Sequence, residues 1–463
     1  MSFGNVVHVR YPWVLCLAAV FCLGIFQTGF PAETDVQKQA RMKWWTEARF
    51  GMFIHWGLYA LPARHEWVKN HEKITDEDYQ AYFDIFDPDL FDPKAWARAA
   101  RAAGMKYFVI TSKHHEGFCL WDSKYTDYKV TKTPYGKDLL KPLVKAMRDE
   151  GLRVGFYYSL LDWHHPDYPL DKHHPMFANA AFREKAKGRD VRKYAEYVRN
   201  QVRELLMEFA PVDCLFMDFS FPGKDGKGRD DWESEKLLRM IRELQPGIVV
   251  NDRLDLLDVP GGWDYRTPEQ YMPREWVTMN GARVPWETCQ TFSGSWGYHR
   301  DESTWKSIRQ LVVMLIETVS KGGNLLLNVG PTARGTFDDR ALDRLAGIGE
   351  WMKAHGRAIY GCTAAPPEFP VPPNCLLTYN PQSDRLYIHV LEWPMGTLFL
   401  DGFGGRVKYA QLLNDASEIK FSESSGPRHG EEEKPGAGTR TVILSLPVLK
   451  PAAEVPVIEI FMK

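Results

Sequence analysis

The sequence has little cysteine for its length. Its 463 residues contain seven cysteines, of which Cys16 and Cys22 lie in an N-terminal apolar segment. The other five are widely spaced, odd in number and without a CxxC pair. Neither a disulfide framework nor a zinc site is therefore predicted. We expect these five to be buried free thiols, with a Cys362–Cys375 disulfide as the alternative.

The sequence also lacks an excess of charge of either sign. Lys and Arg total 58 against 60 Asp and Glu, which gives a formal net charge of −2. A chain of this balance does not attract nucleic acid or anionic membranes as a whole, so we expect no nucleic-acid partner and favour a neutral or small polar ligand. No glycine-rich phosphate loop follows any apolar run, which argues against a dinucleotide site.

Long apolar runs are missing except at the N-terminus. Arg10 ends a short basic lead, residues 13–26 are apolar, and residues 27–31 form a polar exit with a helix-breaking proline. This run is short for a membrane span, so we predict that residues 1–32 are a cleaved signal peptide, with a retained anchor as the alternative. The mature protein is then expected to be secreted or periplasmic, without stable membrane insertion.

From residue 33 to residue 360, apolar runs alternate with amphipathic helical patterns. This alternation predicts an α/β fold in which helices cover a parallel sheet, whose strands are buried on both faces. Seven runs approach the eight strands of a (β/α)8-like barrel, with one strand short or hidden, and an open doubly wound sheet is the alternative. The predicted strands are 51–55, 107–114, 154–159, 214–218, 248–253, 286–292 and 324–330, and the predicted helices are 93–103, 139–150, 191–209, 233–244, 304–320 and 338–355.

The pattern changes in residues 361–463. Five prolines between positions 366 and 373 indicate a linker. Short strand patterns without a long helical pattern then predict a small C-terminal β-sandwich. Its predicted strands are 376–379, 385–391, 397–400, 407–412, 441–446 and 455–461, and the polar segment 422–439 is expected to be a loop.

Polar residues that could do chemistry end most of the barrel runs. In a β/α barrel the carboxyl ends of the strands meet at one rim, where reactions occur. A single polar residue there is commonly a helix cap, but such a set predicts an active site. The residues are His55, His114, His115, Tyr157, Tyr158, Asp218, Arg253 and Asn328.

Asp218 is the strongest candidate among them. It ends the buried run CLFMD, and the next helix begins only near residue 230, so helix capping is disfavoured. A carboxylate held among cations stays ionised and can attack an anomeric carbon. A second carboxyl group must then protonate the leaving oxygen. The candidates, each in an aromatic-rich context, are Glu269, Glu287 and Glu66.

A high aromatic content favours a carbohydrate ligand. The chain has 16 Trp and 20 Tyr, and although most aromatic rings fill cores, exposed ones stack against sugars.

Several stretches, in order over residues 40–360, resemble the α-L-fucosidases of glycoside hydrolase family 29. The motifs KHHEGF and HWG are the most specific part of this resemblance. The stretches are RFGMFIHWGLY (49–59), EW (66–67), KYFVITSKHHEGFCLWDS (106–123), GFYYSLLDWHHP (155–166), VNDR (250–253), PWETCQTFSGSWGY (285–298) and GGNLLLNVGPTARG (322–335).

The resemblance implies a retaining hydrolase of terminal α-L-fucose that needs neither a metal nor another cofactor and acts on fucosylated glycans. It also implies roles for matching residues. Asp218 matches the nucleophile, and Arg253 an arginine beside the acid–base region. Substrate-binding roles are implied for His55, His114 and His115 at the sugar hydroxyls, Tyr157 near the nucleophile, Glu66 and Trp67 at the sugar, and Trp296 near the methyl-bearing edge of fucose.

Two positions depart from the family pattern. Phe216 stands two residues before the predicted nucleophile, where many members have Trp. The acid–base position varies across the family. Glu269 in WDYRTPEQ is the favoured candidate, and Glu287 in PWETC is the rival, although its place at the start of a strand suits a structural role.

An L-galactoside, which adds one hydroxyl to fucose, is an alternative substrate that an apolar methyl pocket would disfavour modestly.

Two other classes of function are alternatives for this set of residues. A metallohydrolase could use His55, His114, His115 and Asp218, but adjacent residues of a strand point to opposite faces, which makes joint ligation by His114 and His115 awkward. A catalytically silent glycan-binding protein on the same scaffold is the other alternative, and an intact Asp218 with two candidate acids argues against it.

The long loop 161–190 is expected to decide part of the aglycone preference. Its paired histidines at 164–165 and 173–174 are expected to be solvated.

Overall fold

The computed structural model describes residues 1–2, 33–424 and 441–463. The predicted signal peptide therefore lies outside the described residues, apart from its first two. The rest folds into a helix-covered parallel barrel followed by two antiparallel sheets.

The strands of the barrel region match the seven predicted runs. The run at 248–253 keeps only two strand residues, and an unpredicted two-stranded hairpin precedes the run at 286–292. The strands are β1 (Phe50–Ile54), β2 (Tyr107–Lys113), β3 (Arg153–Ser159), β4 (Cys214–Asp218), β5 (Val249–Val250), β6 (Thr278–Met279), β7 (Ala282–Arg283), β8 (Glu287–Thr291) and β9 (Asn324–Val329).

Seven of these strands form one parallel sheet in the order β5-β4-β3-β2-β1-β9-β8. Its register aligns the carboxyl ends, since Ile54 lies opposite Val329 and Ser159 opposite Asp218. The residues that follow these ends are thereby brought to one rim.

The eighth member of the ring is an irregular segment, residues 264–269. It contains three charged residues and Pro268, which explains why no apolar run revealed it. Parallel bridges join the segment to the neighbourhood of β5 on one side and to β8 on the other, so the ring closes as a (β/α)8-like barrel. The bridges are Asn251–Tyr265, Arg266–Trp286 and Glu269–Cys289.

Helices cover the outside of the barrel, and the six predicted ones form. Their starts are fixed by N-cap residues: the side chains of Asp92, Asp190 and Asp338 each accept a backbone N–H of the first turn. The helix predicted at 304–320 begins at residue 308, four residues later than predicted, because Ser307 is its N-cap. The helices are α1 (Asp35–Ala48), α2 (Val68–His71), α3 (Asp76–Ile85), α4 (Pro93–Ala102), α5 (Leu140–Asp149), α6 (Ala180–Lys185), α7 (Val191–Glu208), α8 (Arg229–Trp232), α9 (Ser234–Leu244), α10 (Ile308–Ser320) and α11 (Asp339–His355).

The C-terminal part is a β-sandwich, as the sequence predicts. A five-stranded sheet, in the order β10-β11-β12-β17-β14, and a three-stranded sheet, β13-β16-β15, enclose a core that includes Leu386, Leu400 and Val442. The strands are β10 (Thr363–Ala364), β11 (Cys375–Asn380), β12 (Arg385–Val390), β13 (Thr397–Leu400), β14 (Val407–Leu412), β15 (Lys420–Ser424), β16 (Thr441–Ser445) and β17 (Val457–Met462).

One prediction for this part was wrong. The expected loop 422–439 begins with residues of β15, whose polar sequence KFSES gave no strand signal because the strand is largely exposed at a sheet edge. Residues 425–440 lie outside the described part of the chain.

The cysteines behave as free thiols. All five that the structure describes are buried and unpaired, so the predicted thiols are confirmed and Cys362 does not bond to Cys375.

Among the residues that the structure describes, no helix is both long and apolar enough to cross a membrane.

Candidate active site

A small cavity opens at the carboxyl ends of the barrel strands. It is too small for a chain of several sugars. The predicted site residues line it, except for Glu66, Tyr158, Glu287 and Asn328. The lining consists of Phe53, His55, Trp67, His114, His115, Tyr157, Phe216, Asp218, Phe219, Arg253, Glu269, Cys289 and Trp296.

Asp218 is the buried carboxylate of this cavity. It ends β4 with 7% of its surface exposed. The Tyr157 hydroxyl donates to its Oδ2 at 2.7 Å, and Nη1 of Arg253 donates to its Oδ1 at 2.6 Å. Burial alone would raise the pKa of Asp218, but the charge of Arg253 and these hydrogen bonds more than offset it, so the pKa is lowered. Asp218 is therefore ionised at neutral pH.

Arg253 joins Asp218 to a second carboxylate. Its Nη2 donates to Oε2 of Glu269 at 2.6 Å, while its Nε donates to the Thr267 hydroxyl at 3.0 Å. The Glu269 side chain is 40% exposed, in contrast to the buried Asp218. One guanidinium thus holds two carboxylates of different exposure at the same cavity.

The three histidines of the cavity are neutral at pH 7. Burial lowers the pKa of His55 to about 4 and that of His115 to about 3, and it lowers the pKa of His114 well below its usual value. Nδ1 of His55 donates to Asn328 Oδ1 at 2.6 Å, which leaves Nε2 as an acceptor. Neutral imidazoles of this kind can exchange hydrogen bonds with the hydroxyls of an uncharged ligand.

Comparison with known proteins decides the family. The family model described as Alpha-L-fucosidase matches residues 26–357, which is most of the chain. This chain belongs to the α-L-fucosidase family. As a member, it is a glycoside hydrolase.

Individual relatives agree with this assignment. The human plasma alpha-L-fucosidase is 33% identical over 408 residues, covering 82% of this chain and 80% of that protein. The alpha-L-fucosidase of Dictyostelium discoideum is 30% identical over 464 residues, covering 93% and 94%.

Solved structures of α-L-fucosidases share the whole fold. Alpha-L-fucosidase isoenzyme 1 from Paenibacillus thiaminolyticus superposes with a TM-score of 0.84 at 43% identity, covering 92% of this chain and 99% of that one. An α-L-fucosidase of family GH29 from Bacteroides thetaiotaomicron gives 0.78 at 30% identity, covering 94% and 97%.

One inference about the histidines was wrong. His114 and His115 were expected to point to opposite faces, but both line the fucosidase cavity, with ring centroids 4.0 Å apart. They follow Lys113, the last residue of β2, and the chain turns there through a hydrogen bond from Gly117 N–H to the His114 carbonyl. Strand alternation therefore no longer applies. Even so, no group of three or more His, Cys, Asp or Glu side chains in the described residues is placed to hold a metal ion.

Glu66 lies behind the cavity and not on its surface. It is 1% exposed, and its Oε2 accepts the backbone N–H groups of Trp296 and Gly297 at 3.1 and 2.9 Å. Burial raises its pKa to about 7, and these hydrogen bonds limit the rise. Glu66 therefore holds the loop that carries Trp296, whose ring packs 5.1 Å from that of His55.

Glu287 is far from the carboxyl ends of the strands. It is the first residue of β8 and is 1% exposed, and its carboxyl group accepts a hydrogen bond from the Tyr107 hydroxyl. Burial raises its pKa to about 8, so it is predominantly protonated at pH 7. The structure does not bring Glu287 to the cavity, which leaves Glu269 as the second carboxyl group there.

Sequence reasoning missed several side chains of the fucosidase cavity, including Phe53, Phe219 and Cys289. Side chains of a strand alternate between its faces, so Phe53 and Phe216 share the inner face with His55 and Asp218, two residues further on. The alternation rule could therefore have found Phe53. No comparable signal exists for Phe219, which follows the strand in a left-handed conformation with φ of 74°.

Proposed function

We propose that this protein is a retaining exo-α-L-fucosidase that removes terminal α-L-fucose from fucosylated glycans by double displacement. The observation that supports this most strongly is the pair Asp218 and Glu269 on the single guanidinium of Arg253. Retaining glycosidases keep their two carboxyl groups about 5 Å apart, closer than inverting ones. Sharing one guanidinium favours the short separation.

In the first step Asp218 acts as the nucleophile. One carboxylate oxygen attacks the anomeric carbon while the bond to the leaving oxygen breaks, and Glu269 donates a proton to that oxygen. The product is a glycosyl ester of Asp218. Tyr157 and Arg253 hold the carboxylate in place for the attack. A relative from Bacteroides thetaiotaomicron, 30% identical, was solved as a "trapped covalent intermediate", which supports an ester here.

In the second step Glu269, now ionised, accepts a proton from water. The water oxygen attacks the same carbon, and the ester bond breaks to regenerate Asp218. Glu269 suits both roles because it is half exposed and therefore reachable by water, whereas Asp218 is buried.

The remaining cavity residues bind the sugar. The neutral imidazoles of His55, His114 and His115 hydrogen-bond its hydroxyls without preferring an anion. The rings of Phe53, Phe216 and Trp296 supply an apolar wall for the methyl group, with centroids of Phe53 and Phe216 at 5.2 Å. We assign Glu66 to positioning Trp296, and Trp67 to the wall of the sugar site.

The proposal extends to organisation and export. We assign catalysis to residues 33–360 and propose that residues 361–463 form a supporting β-sandwich domain. We propose that residues 1–32 direct export and are removed, so that the mature enzyme is secreted or periplasmic. The run of apolar residues at 13–26 supports this, and N-terminal sequencing of exported protein tests it.

Hydrolysis of an aryl α-L-fucoside, followed by proton NMR, tests the function directly. We expect release of the phenol and initial formation of α-L-fucose, which then mutarotates, at a rate that excess chelator leaves unchanged. Initial formation of β-L-fucose would contradict retention, and absence of phenol release would contradict the proposed activity.

A further inference from the structure

Aromatic rings continue from the sugar cavity onto its mouth. Trp67 and Phe219 line the cavity, and their ring centroids are 5.5 Å apart. His173 lies 5.0 Å from Phe219 and 4.4 Å from Phe221, and neither His173 nor Phe221 lines the cavity. We call Trp67, His173, Phe219 and Phe221 the aromatic rim. All four are half-buried, so part of each ring remains exposed to solvent.

The backbone at the centre of the rim is strained. Phe219, the residue directly after Asp218, has φ of 74°, a conformation that a bulky side chain rarely adopts. Such outliers persist where the surrounding structure enforces them and concentrate at ligand sites. Here the conformation turns the Phe219 ring towards Trp67 and His173, at centroid distances of 5.5 and 5.0 Å. This backbone conformation therefore makes the Phe219 ring part of a continuous aromatic surface beside the predicted nucleophile.

Three loops that form the rim are tied to one another. Asp171 and Lys227 form a buried ion pair at 2.6 Å, which joins the loop after β3 to the loop after β4. Nδ2 of Asn70 donates to the His173 carbonyl at 2.6 Å, which joins the loop after β1. The rim is thus preorganised, and little conformational entropy is lost when a ligand binds to it.

The imidazole of the rim is uncharged at neutral pH. Burial lowers the pKa of His173, although Asp171 opposes this. His174 is buried and His173 half-buried, so the expectation that this pair is solvated was wrong. The cause is that the long loop packs against the barrel mouth. A neutral ring next to two phenylalanines presents aromatic faces that suit the C–H face of a pyranose. Lys172 Nζ lies over the Phe221 ring, 5.6 Å from its centroid.

We infer that the aromatic rim is a leaving-group subsite that stacks the pyranose ring to which the terminal fucose is attached. The cavity is small, so the ring next to fucose in a glycan must lie at its mouth, where the aromatic rim is. This inference rests on the proposed function. His173 and Phe221 act as specificity-determining residues, because they contact the leaving group and not the fucosyl unit.

The test compares two substrates that differ only in their leaving group. α-L-Fucosyl fluoride has no ring beyond fucose, whereas a fucosyl disaccharide places a pyranose on the rim. The disaccharide used is the best substrate of the unaltered enzyme among a panel of linkages. For Phe221→Ala and His173→Ala we expect kcat/KM on the disaccharide to fall about five- to tenfold, mainly through KM, as loss of an aromatic contact predicts. The ratio of the disaccharide value to the fluoride value should fall by the same factor.

Matched variants separate stacking from folding. Phe221→Trp keeps an aromatic face and should keep the ratio of the unaltered enzyme. Phe182→Ala makes the same truncation in α6 of the same long loop, where the ring lies against His174, and should leave the ratio unchanged. Equal losses on both substrates, or no loss on the disaccharide, would overturn the subsite. Failure of the unaltered enzyme to hydrolyse even the fluoride would overturn the proposed function itself.

Discussion

Individual carboxyl groups of the barrel differ because their neighbours differ. Asp218 has the Arg253 guanidinium at 2.6 Å, and its pKa is lowered despite burial. Burial dominates at Glu66 and Glu116, whose pKa it raises to about 7, and at Glu287, whose pKa it raises to about 8. A nearby cation thus distinguishes the carboxylate of Asp218, which stays ionised, from these three carboxyl groups, whose ionisation burial opposes.

Replacing the predicted acid should affect substrates according to their leaving group. Glu269→Ala is expected to lower kcat/KM about 10²- to 10⁴-fold on fucosides with poor leaving groups, since these need protonation. Fucosides of acidic phenols should lose far less. Steady-state rates on a series of aryl fucosides measure this dependence.

Glu287→Gln is the control for that series. It should leave the dependence on the leaving group unchanged, because Glu287 is at the opposite end of the barrel. A steep dependence in this variant, with none in Glu269→Ala, would reverse the assignment.

Glu287 should also make stability depend on pH. Its carboxyl group ionises near pH 4.5 in the unfolded chain and near pH 8 in the folded one, so between these values the folded state binds the additional proton. The free energy of unfolding therefore decreases as the pH rises from about 4.5 to about 8. Glu287→Gln removes this contribution and should stabilise the protein by roughly 3 kcal/mol at pH 7.

Urea unfolding of both proteins at several pH values measures this effect. The two free energies should converge below pH 4.5, where the carboxyl group is protonated in both states. A constant difference across the pH range would show that Glu287 is not a proton-binding group of this kind.

At the scale of residues, the sequence predicts the site well because strand ends have a fixed geometry. His55, Asp218 and Arg253 were found because each follows an apolar run, and parallel strands bring such positions together. Glu66 and Glu287 could not be placed, since burial and side-chain direction depend on packing against distant residues such as Trp296 and Tyr107.

Among the elements, β5 is the shortest strand of the parallel sheet, and a side chain extends its pairing. The strand has two residues, and beyond them Asn251 replaces backbone pairing with its amide. Its Oδ1 accepts from Met217 N–H at 3.0 Å, and its Nδ2 donates to the Met217 carbonyl at 2.9 Å. This fixes the residue immediately before Asp218.

Asn251→Ala should therefore weaken both the fold and the activity. It leaves two buried backbone groups of Met217 without partners, which is expected to cost about 2–4 kcal/mol. Urea unfolding gives the stability change, and kcat should fall because Asp218 loses its support. Asn414→Ala, at an exposed position, is the matched control and should change neither. Unchanged stability in Asn251→Ala would contradict the role given to this side chain.

The elements that sequence patterns missed are those that do not depend on an apolar run. Segment 264–269 is held in the ring by bridges and by the Asp264 carboxylate, which accepts the Val250 N–H at 2.8 Å and binds Arg41. β15 pairs with β16 through its backbone, and four of its five side chains are polar. Hydrophobic periodicity detects burial and not hydrogen bonding, so neither could be predicted.

At the scale of the whole molecule, barrel and sandwich share a core. The barrel core includes Tyr387, Leu413 and Val457 of the sandwich. Nε1 of Trp351 in α11 donates to the Val455 carbonyl at 2.8 Å. We therefore expect the two parts to unfold together.

A truncation in the sandwich should accordingly destabilise the active site. Leu400 is fully buried there, and Leu400→Ala is expected to cost about 2–5 kcal/mol. The urea midpoint of enzyme activity should fall together with that of circular dichroism. Leu449→Ala, at a residue that is 84% exposed, should move neither midpoint. An unchanged activity midpoint in Leu400→Ala would show that the two parts unfold independently.

The proposed double displacement requires that Asp218 form a bond to the sugar. The most direct measurement is the reaction of Asp218→Gly with an aryl α-L-fucoside in the presence and absence of azide. The variant should be inactive alone, and azide should restore phenol release by occupying the space of the missing carboxylate, giving β-L-fucosyl azide. Substantial activity without azide, or rescue that gives the α-linked azide, would contradict the assignment of Asp218 as the nucleophile.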